Sequence, residues 1–350
     1  MKKAIPETGA AGFLAGDGET VRLIREFDWT RTPLGIISRW PLALKITLAT
    51  MLSSRQPMFL WWGPELIQFY NDAYIPIFGV GRHPSAMGQR GVECWQEVWP
   101  MIWPQIDDVM SRGKASWNED QLVPLFRNGR MEDVYGSYSY SPVVGDDGRV
   151  AGTLAVCMET TGKVVAQRRQ QVARSLSEAF AAPAHEQSAK TRRAFLDASI
   201  DVPAALFYRA SPHDRTLTSV GDFGLDEVAL ARADNAFRRT YAWSPELPEA
   251  IAAGRPMLLE SVFMLPGPRG AEPVRDACVV PARVADGKTG SDLAVYALNP
   301  RIPFDAGYRD FLVLLTRNMS LPTSIAATSG RPRGAQTDLG FRKGNGSHDS

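Results

Sequence analysis

Apolar residues in the first half of the chain change their spacing several times, and each change predicts a new element. Residues 28–56 predict a turn followed by a helix, with Pro41 in its first turn and a broad apolar face formed by Leu42, Leu44, Ile46, Leu48, Met51 and Leu52. Residues 57–70 hold two aromatic-rich runs around a Gly-Pro turn, which predicts a hairpin. Asn71 and Asp72 follow at once, and both are residues that begin helices. The pattern therefore predicts a hairpin that runs directly into a capped helical turn.

The next stretch predicts the rest of a first domain. Short helices broken by Gly and Pro are predicted over 71–115, and three strands over about 116–125, 134–144 and 150–161. The middle strand alternates Tyr with Ser, as a half-buried strand does. The turn sequence GDDG at 145–148 separates the last two strands. Strands on either side of helices predict an α+β domain with a five-stranded antiparallel sheet.

A helical linker is predicted over 163–184. Its apolar residues Val165, Val172, Leu176 and Phe180 are spaced by seven, four and four positions, which resembles a short coiled-coil seam. We therefore expect a homodimer that forms through this helix.

A second α+β domain is predicted over 185–325, with a helix, two strands, helical material, three further strands and a last helix, and again an antiparallel sheet. Residues 1–24 are rich in Gly, Ala and Glu, and we expect them to be mobile. Residues 326–350 are polar and Gly-rich, and we expect disorder. The first domain then covers 25–162.

Charge and composition exclude several classes of protein. The chain has 39 Lys and Arg residues against 38 Asp and Glu residues, so it lacks the excess of basic residues that nucleic-acid binding needs. No run reaches the roughly 18 apolar residues of a membrane helix, and no signal-peptide core follows the N-terminus, so we expect no membrane association and a cytoplasmic location. The cysteines, Cys94, Cys157 and Cys278, are odd in number and far apart, which predicts neither a disulfide framework nor a metal site.

Several phrases of the first domain occur in the order found in one protein family. They are DWTRTPLGIISRWPLALK, PMFLWWGPELIQFYNDAYIPIFG, HPSAMGQRGVECWQEVWP and YGSYSYSPVVGDDGRVAGTLAVCMETT. Over residues 28–162 the chain resembles the PAS sensor region at the N-terminus of bacterial hybrid histidine kinases. The second half resembles the GAF domain that follows PAS in those kinases, through AIAAGRPMLLESV and LAVYALNPRIPFDAGYRDFLVLL. The resemblance implies two sensory domains, the first with a ligand-sized cavity.

Aromatic residues and one amide are the predicted lining of that cavity. The other interpretation is that the rings fill the core or pack a flanking helix onto the sheet. The cofactor is unknown, because Cys94 lacks the phrase of flavin-binding PAS domains and His83, the one histidine of the first domain, lies in a Gly/Pro-rich loop. The predicted pocket residues are Phe59, Trp61, Phe69, Tyr70, Asn71, Tyr74, Trp95, Trp99, Tyr138 and Tyr140.

The kinases that the chain resembles continue into a phospho-accepting histidine and an ATP-binding domain. His185 lacks the Arg-Thr-Pro-Leu continuation of a histidine box, and no glycine-rich ATP lid is present. We therefore expect a non-catalytic signalling protein that detects a small ligand or a partner and transmits by rearrangement of a helix or dimer. Its partner would be a histidine kinase or response regulator of a two-component phosphorelay. Two alternatives are the truncated input half of a sensor histidine kinase, and an enzyme that uses the aromatic cavity, for which no cluster of acid, base and nucleophile is visible.

Overall fold

The chain folds into two compact units, seen in a computed structural model that describes residues 12–211, 216–244, 246–268, 272–282 and 291–317. The predicted disordered tail, 326–350, lies outside the described residues. The first unit takes Met1–Ala173, Met264–Asp276 and Leu298–Phe311, and the second takes Arg174–Phe263, Ala277–Ala297 and Leu312–Ser350. The domain boundaries expected from the sequence stay predictions.

The first unit is built on one antiparallel sheet of five strands in the order β2-β1-β5-β4-β3. This confirms the antiparallel α+β arrangement expected from the sequence. The first strand in the sequence, β1, pairs with the last, β5, so the sheet is complete only when both ends of the domain are present. The strands are β1 Met58–Trp62, β2 Ile67–Tyr70, β3 Ser116–Arg127, β4 Arg130–Val144 and β5 Val150–Glu159.

Among the described residues, six α-helices precede, connect or directly follow these strands. α6 follows β5 almost directly and contains the boundary between the two units. Pro183 separates it from the next helix, as expected for a residue that cannot continue one. The helices are α1 Glu19–Glu26, α2 Leu42–Ser53, α3 Ile75–Phe78, α4 Gly91–Cys94, α5 Trp99–Arg112 and α6 Thr161–Ala181.

Strand β1 is buried along its whole length, on both faces. Because side chains alternate along a strand, Phe59 and Trp61 lie on one face, and Leu60 lies on the other opposite its partner Phe69. Phe69 stacks on Trp29 at 4.9 Å between ring centroids, so the segment before α2 covers this second face. The interpretation that some of the aromatics pack flanking structure onto the sheet is thus confirmed for Phe69.

Asn71 fixes the junction between α2, β1 and β2. Its side-chain oxygen accepts a hydrogen bond from the Met58 N–H at 3.0 Å. Its NH₂ group donates to the carbonyl oxygens of Met51, Ser54 and Gln56, at 3.0, 3.2 and 2.7 Å. The side chain is fully buried, and every polar group it carries is paired with backbone.

Asp72 anchors the N-terminal segment. Its carboxylate accepts hydrogen bonds from the N–H of Glu19, and from the N–H and hydroxyl of Thr20. Burial alone would raise the pKa of Asp72, but these hydrogen bonds outweigh it and lower the pKa. The carboxylate therefore caps α1 from 52 residues away. This corrects the expectation of a mobile N-terminus over residues 19–24, which form a helix because an acceptor distant in sequence completes its first turn.

Asp146, in the predicted GDDG turn, plays the same part for α2. Its two carboxylate oxygens accept hydrogen bonds from the N–H groups of Leu42 and Ala43, at 2.9 and 2.8 Å. The turn between β4 and β5 therefore also begins a helix that precedes it by about a hundred residues.

The second unit contains a sheet with the same layout, in the order β7-β6-β10-β9-β8. Its antiparallel pairing confirms the predicted fold class, whereas its membership of the GAF family stays a prediction. The remaining elements are β6 Ala205–Ser211, β7 Thr216–Phe223, β8 Met257–Leu259, β9 Ala277–Ala282, β10 Ser291–Ala297, α7 Ala184–Ala198, α8 Glu227–Trp243, α9 Glu246–Ala252 and α10 Ala306–Arg317.

The predicted seam residues of α6 are not equally accessible. Val172 and Leu176 are buried within the single chain, whereas Val165 and Phe180 are only partly buried. A second copy could not reach Val172 and Leu176 without opening the chain. The predicted homodimer stays a prediction, and these two residues do not offer a free surface for it.

Replacing Asn71 with Ala should destabilise the protein by about 2–3 kcal/mol, because the Met58 N–H and several carbonyl oxygens would lose buried partners. Denaturant unfolding measured by far-UV circular dichroism checks this. Gln56→Ala is the matched control, since the Gln56 side chain is exposed, and it should change stability by less than about 0.5 kcal/mol. Equal stability of both variants would contradict the role of Asn71.

Candidate functional site

A small cavity of about 80 Å³ lies on the face of the first sheet that carries Phe59 and Trp61. Helices α3 and α5 and the turn after α4 cover it through Ile77, Ile102 and Trp95. The full lining is Phe59, Trp61, Tyr74, Ile77, Trp95, Val98, Ile102, Val123, Leu125, Val134, Tyr135, Gly136, Ser137, Tyr138, Tyr140, Ala155, Cys157, Met158 and Glu159.

The cavity brings together Phe59, Trp61, Tyr74, Trp95, Tyr138 and Tyr140 from the predicted pocket set. The other members of that set do not line it. Phe69 lies on the opposite face of the sheet, and Asn71 bonds only backbone. The Tyr70 hydroxyl lies 2.9 Å from His83, and Trp99 stacks on Trp103 at 5.7 Å.

Sequence reasoning missed the aliphatic half of the lining, for example Ile77, Val123 and Val134. Period-two alternation could have found Val134, which lies on the same face of β4 as Tyr138 and Tyr140. No pattern in α3 or β3 distinguishes a cavity residue from an ordinary core residue.

Aromatic rings occupy most of the space around the cavity. Phe59 contacts Trp61, Tyr74 and Trp95 with ring centroids 4.7, 5.1 and 5.8 Å apart. Tyr140 contacts Trp61 at 5.7 Å. Ligand pockets usually measure about 300–1,000 Å³, and a cavity of about 150 Å³ admits benzene. In this conformation the rings therefore fill most of the core and leave room for a molecule smaller than one aromatic ring.

Three residues that line this small space carry buried polar atoms without a partner in the described part of the chain. Trp61 and Trp95 are 3% and 5% exposed, and neither indole N–H makes a hydrogen bond within the described residues. The Tyr138 hydroxyl is likewise unpaired there, although Gln105 lies near it. A buried donor without a partner costs about 1–3 kcal/mol, and such atoms are rare. An acceptor that enters the cavity would recover part of that cost.

Three titratable groups of the cavity, on Cys157, Tyr74 and Tyr140, are neutral at physiological pH, whereas the Glu159 carboxylate, which also lines the cavity, is ionised and paired with Arg127. Burial raises the pKa of the Cys157 thiol to about 12, and it raises the pKa values of Tyr74 and Tyr140 well above their usual range. Outside the cavity, burial also raises the pKa of Cys94. Since the thiolate is the nucleophilic form of cysteine, these groups favour binding of an uncharged molecule over covalent chemistry.

His83 is engaged on both sides of its ring. Its Nδ1 atom lies 2.9 Å from the Tyr70 hydroxyl, and its Nε2 atom lies 3.0 Å from the Glu19 carboxylate. With both nitrogens paired, the imidazole offers no atom to a haem iron in this arrangement. No group of three or more His, Cys, Asp or Glu side chains suited to a metal ion occurs among the described residues.

The cavity borders the start of α6. Tyr135 and Glu159 both line it. The Tyr135 carbonyl accepts a hydrogen bond from the Thr160 N–H at 2.7 Å, and the Tyr135 N–H donates to the Thr161 hydroxyl at 3.0 Å. The Thr161 hydroxyl donates to Glu159 at 2.9 Å. The same two residues thus contact the cavity and hold the first turn of α6.

Arg127 ties this region to the rest of the sheet. Its guanidinium donates two hydrogen bonds to Glu159, at 2.8 and 2.9 Å, and one to Glu132 at 2.8 Å. It also donates to the Ile77 carbonyl of α3. Burial alone would raise the pKa values of both glutamates, but the hydrogen bonds from Arg127 outweigh it and lower them. Arg127 therefore joins α3, β4 and the end of β5 through charge-assisted hydrogen bonds.

Comparisons with known proteins find no matching protein family and no matching curated protein. Similar solved structures include a sensory box sensor histidine kinase from Vibrio cholerae, at 14% identity and TM-score 0.26 over 33% of this chain and 89% of that one. The PAS domain of Bordetella pertussis BvgS matches at 15% identity and TM-score 0.27, over 37% of this chain and 93% of that one. A PAS domain from Colwellia psychrerythraea matches at 14% identity and TM-score 0.26, over 34% of this chain and 98% of that one. No conclusion about function rests on likenesses this low.

Within the part of the chain that the structure describes, no helix is both long and apolar enough to cross a membrane.

Replacing Arg127 with Met should destabilise the protein by about 2–3 kcal/mol at pH 7, because Glu132 would remain as a buried, poorly paired charge. The glutamate pKa values are lowered in the folded protein, so their stabilising effect is present above the unfolded value of about 4.3 and is lost as the pH falls. The difference between the wild type and Arg127→Met should therefore shrink below about pH 4.

Urea unfolding at pH 7 and at pH 3.5 measures both effects. The matched control is Arg130→Met, since Arg130 is half-exposed and contacts Glu132 only, and it should cost less than about 1 kcal/mol. A cost for Arg127→Met that did not change with pH would show that the guanidinium acts through packing alone.

Proposed function

We propose that the first unit is a sensory module that binds a small uncharged molecule in its cavity and reports occupancy to α6. The observation that carries this proposal is the double role of Tyr135 and Glu159, which line the cavity and hold the first turn of α6. A ligand that displaces either residue changes the support of the helix directly.

The chemistry of the lining defines the class of ligand. An indole N–H donates and cannot accept a hydrogen bond, so Trp61 and Trp95 call for a ligand with an acceptor such as a carbonyl oxygen or ring nitrogen. The neutral thiol of Cys157 and the apolar side chains around it disfavour a charged ligand. The volume of about 80 Å³ limits the ligand to a few heavy atoms unless the cavity expands.

Signal transmission requires that the ligand bind one of two arrangements more tightly than the other. We propose that these arrangements differ in the contacts of Glu159 with Arg127 and Thr161, because those contacts connect the cavity wall to α3 and α6. The output then passes along α6 towards the second unit, which contains the later part of this helix.

In this proposal the chain carries out no chemical step itself, and a partner protein such as a histidine kinase or response regulator receives the signal. The main alternative is the input half of a sensor histidine kinase, in which the same cavity would control phosphotransfer. Reading the DNA downstream of this sequence in all frames distinguishes the two, because only the second interpretation expects a histidine box there.

Acetone and isobutene test the binding proposal, because they share one small, planar, branched shape and differ by one carbonyl acceptor. Acetone should shift the indole ¹H–¹⁵N signals of Trp61 and Trp95, assigned with Trp→Phe variants, and bind about tenfold more tightly than isobutene, as one hydrogen bond of roughly 1.4 kcal/mol requires.

Ala155→Leu, which adds methyl groups to the cavity wall, should abolish the shifts. Val156→Leu is its neighbour on the opposite face of β5 and should leave them intact. Equal binding of both compounds, or binding that survives Ala155→Leu, would refute the proposed site.

A further inference from the structure

Helix α2 has an exposed apolar face on the side away from the core. Its buried face holds Leu44, Leu48 and Met51. On the other side, Leu42 and Ile46 lie one turn apart and are 62% and 57% exposed. The exposed face continues at helical spacing to the C-terminal end of the helix. We call it the α2 stripe, and its residues are Leu42, Ile46, Ala49, Thr50 and Ser53.

Polar groups in and beside the α2 stripe already bond within the chain. The Thr50 hydroxyl donates to the Ile46 carbonyl at 3.1 Å, and the Ser53 hydroxyl donates to the Thr50 carbonyl at 2.9 Å. Lys45 is the one charged residue of α2, and its ammonium group donates to the Ser38 carbonyl at 3.1 Å. A helix that is apolar on all sides is normally buried on all sides. The stripe is therefore a surface that association would stabilise.

Opposite charges lie beyond the two ends of the α2 stripe. The turn between β4 and β5 lies at the N-terminal end, because Asp146 caps α2 there. This turn carries Asp146, Asp147 and Arg149, all of them exposed, and thus one net negative charge. Arg55, also exposed, follows the C-terminal end of the helix. Antiparallel pairing of two α2 helices places Arg55 of each copy beside the acidic turn of the other, whereas parallel pairing places like charges together.

We propose that a second copy of this chain covers the α2 stripe, with the two α2 helices antiparallel about a two-fold axis. The stripe then meets itself, as a two-fold interface requires. When the axis passes through the middle of the stripe, Leu42 of one copy lies opposite Ser53 of the other. Ile46 likewise lies opposite Ala49, so each large side chain meets a small one.

The size of the α2 stripe indicates a weak dimer. The helix has 12 residues and is about 18 Å long. An interface built on it lies at the small end of those between proteins, so we expect monomer and dimer to exchange at micromolar concentrations. This dimer does not use the predicted seam of α6, where Val172 and Leu176 are buried within the single chain.

Sedimentation velocity of the full chain, from about 1 to about 200 µM, tests the proposal. The sedimentation coefficient of the wild type should rise with concentration. Ile46→Glu places a charge at the centre of the interface and should lower the association constant at least about tenfold, while the exposed position keeps the fold intact by circular dichroism. Trp117→Glu is the matched control, since Trp117 of β3 is 67% exposed and lies outside the stripe, and it should leave association unchanged.

Charge reversal tests the antiparallel arrangement. Arg55→Glu should weaken association severalfold, because the new carboxylate would face the acidic turn of the second copy. Adding Asp147→Arg should restore association, since opposite charges then face each other with their signs exchanged. Asp146 stays unchanged because it caps α2. A wild type that stays monomeric at about 200 µM, association that survives Ile46→Glu, or a double reversal that restores nothing would overturn the proposal.

Discussion

The first unit depends on covering both faces of β1. This strand is entirely apolar and lies inside the sheet between β2 and β5, so neither of its faces can be left to water. The residues before α2 cover one face through Trp29 and Trp40 around Phe69, and helices α3 to α5 cover the other. Three side chains hold these covering segments in place. Asn71, Asp72 and Asp146 accept hydrogen bonds from backbone N–H groups that β1, α1 and α2 leave unpaired.

On the face that carries Phe59 and Trp61 the covering is incomplete, and the candidate site is the space that remains. Packed rings leave about 80 Å³, and the indole N–H groups of Trp61 and Trp95, two of the lining residues, have no partner within the described residues. Natural cores rarely retain such groups without a function or a bound molecule. The cavity reaches Tyr135 and Glu159, which also hold the first turn of α6. The second sheet has the same strand order.

The order of the elements could be predicted from the sequence because periodicity and turn residues report local structure. The prediction that Asn71 and Asp72 start a helical turn is correct, but their main partners lie up to 53 residues away, and no local sequence pattern reports contacts over that distance. Phe69 is predicted in the pocket because β1 has no polar residue and Gln68 of β2 is as buried as its neighbours, so neither strand marks which face is which. The aromatic half of the cavity was predictable, whereas its volume and its unpaired donors depend on packing.

The most direct test of the account is hydrogen exchange at the start of α6. The Thr160 amide donates to Tyr135, and the Val164 amide donates to Thr160, so both report how firmly the cavity wall holds the helix. If occupancy of the cavity is communicated to α6, permanent filling by Ala155→Leu changes the exchange rates of these amides, and Val156→Leu on the opposite face does not. Unchanged exchange in Ala155→Leu, with the cavity filled and the fold intact, would contradict the account.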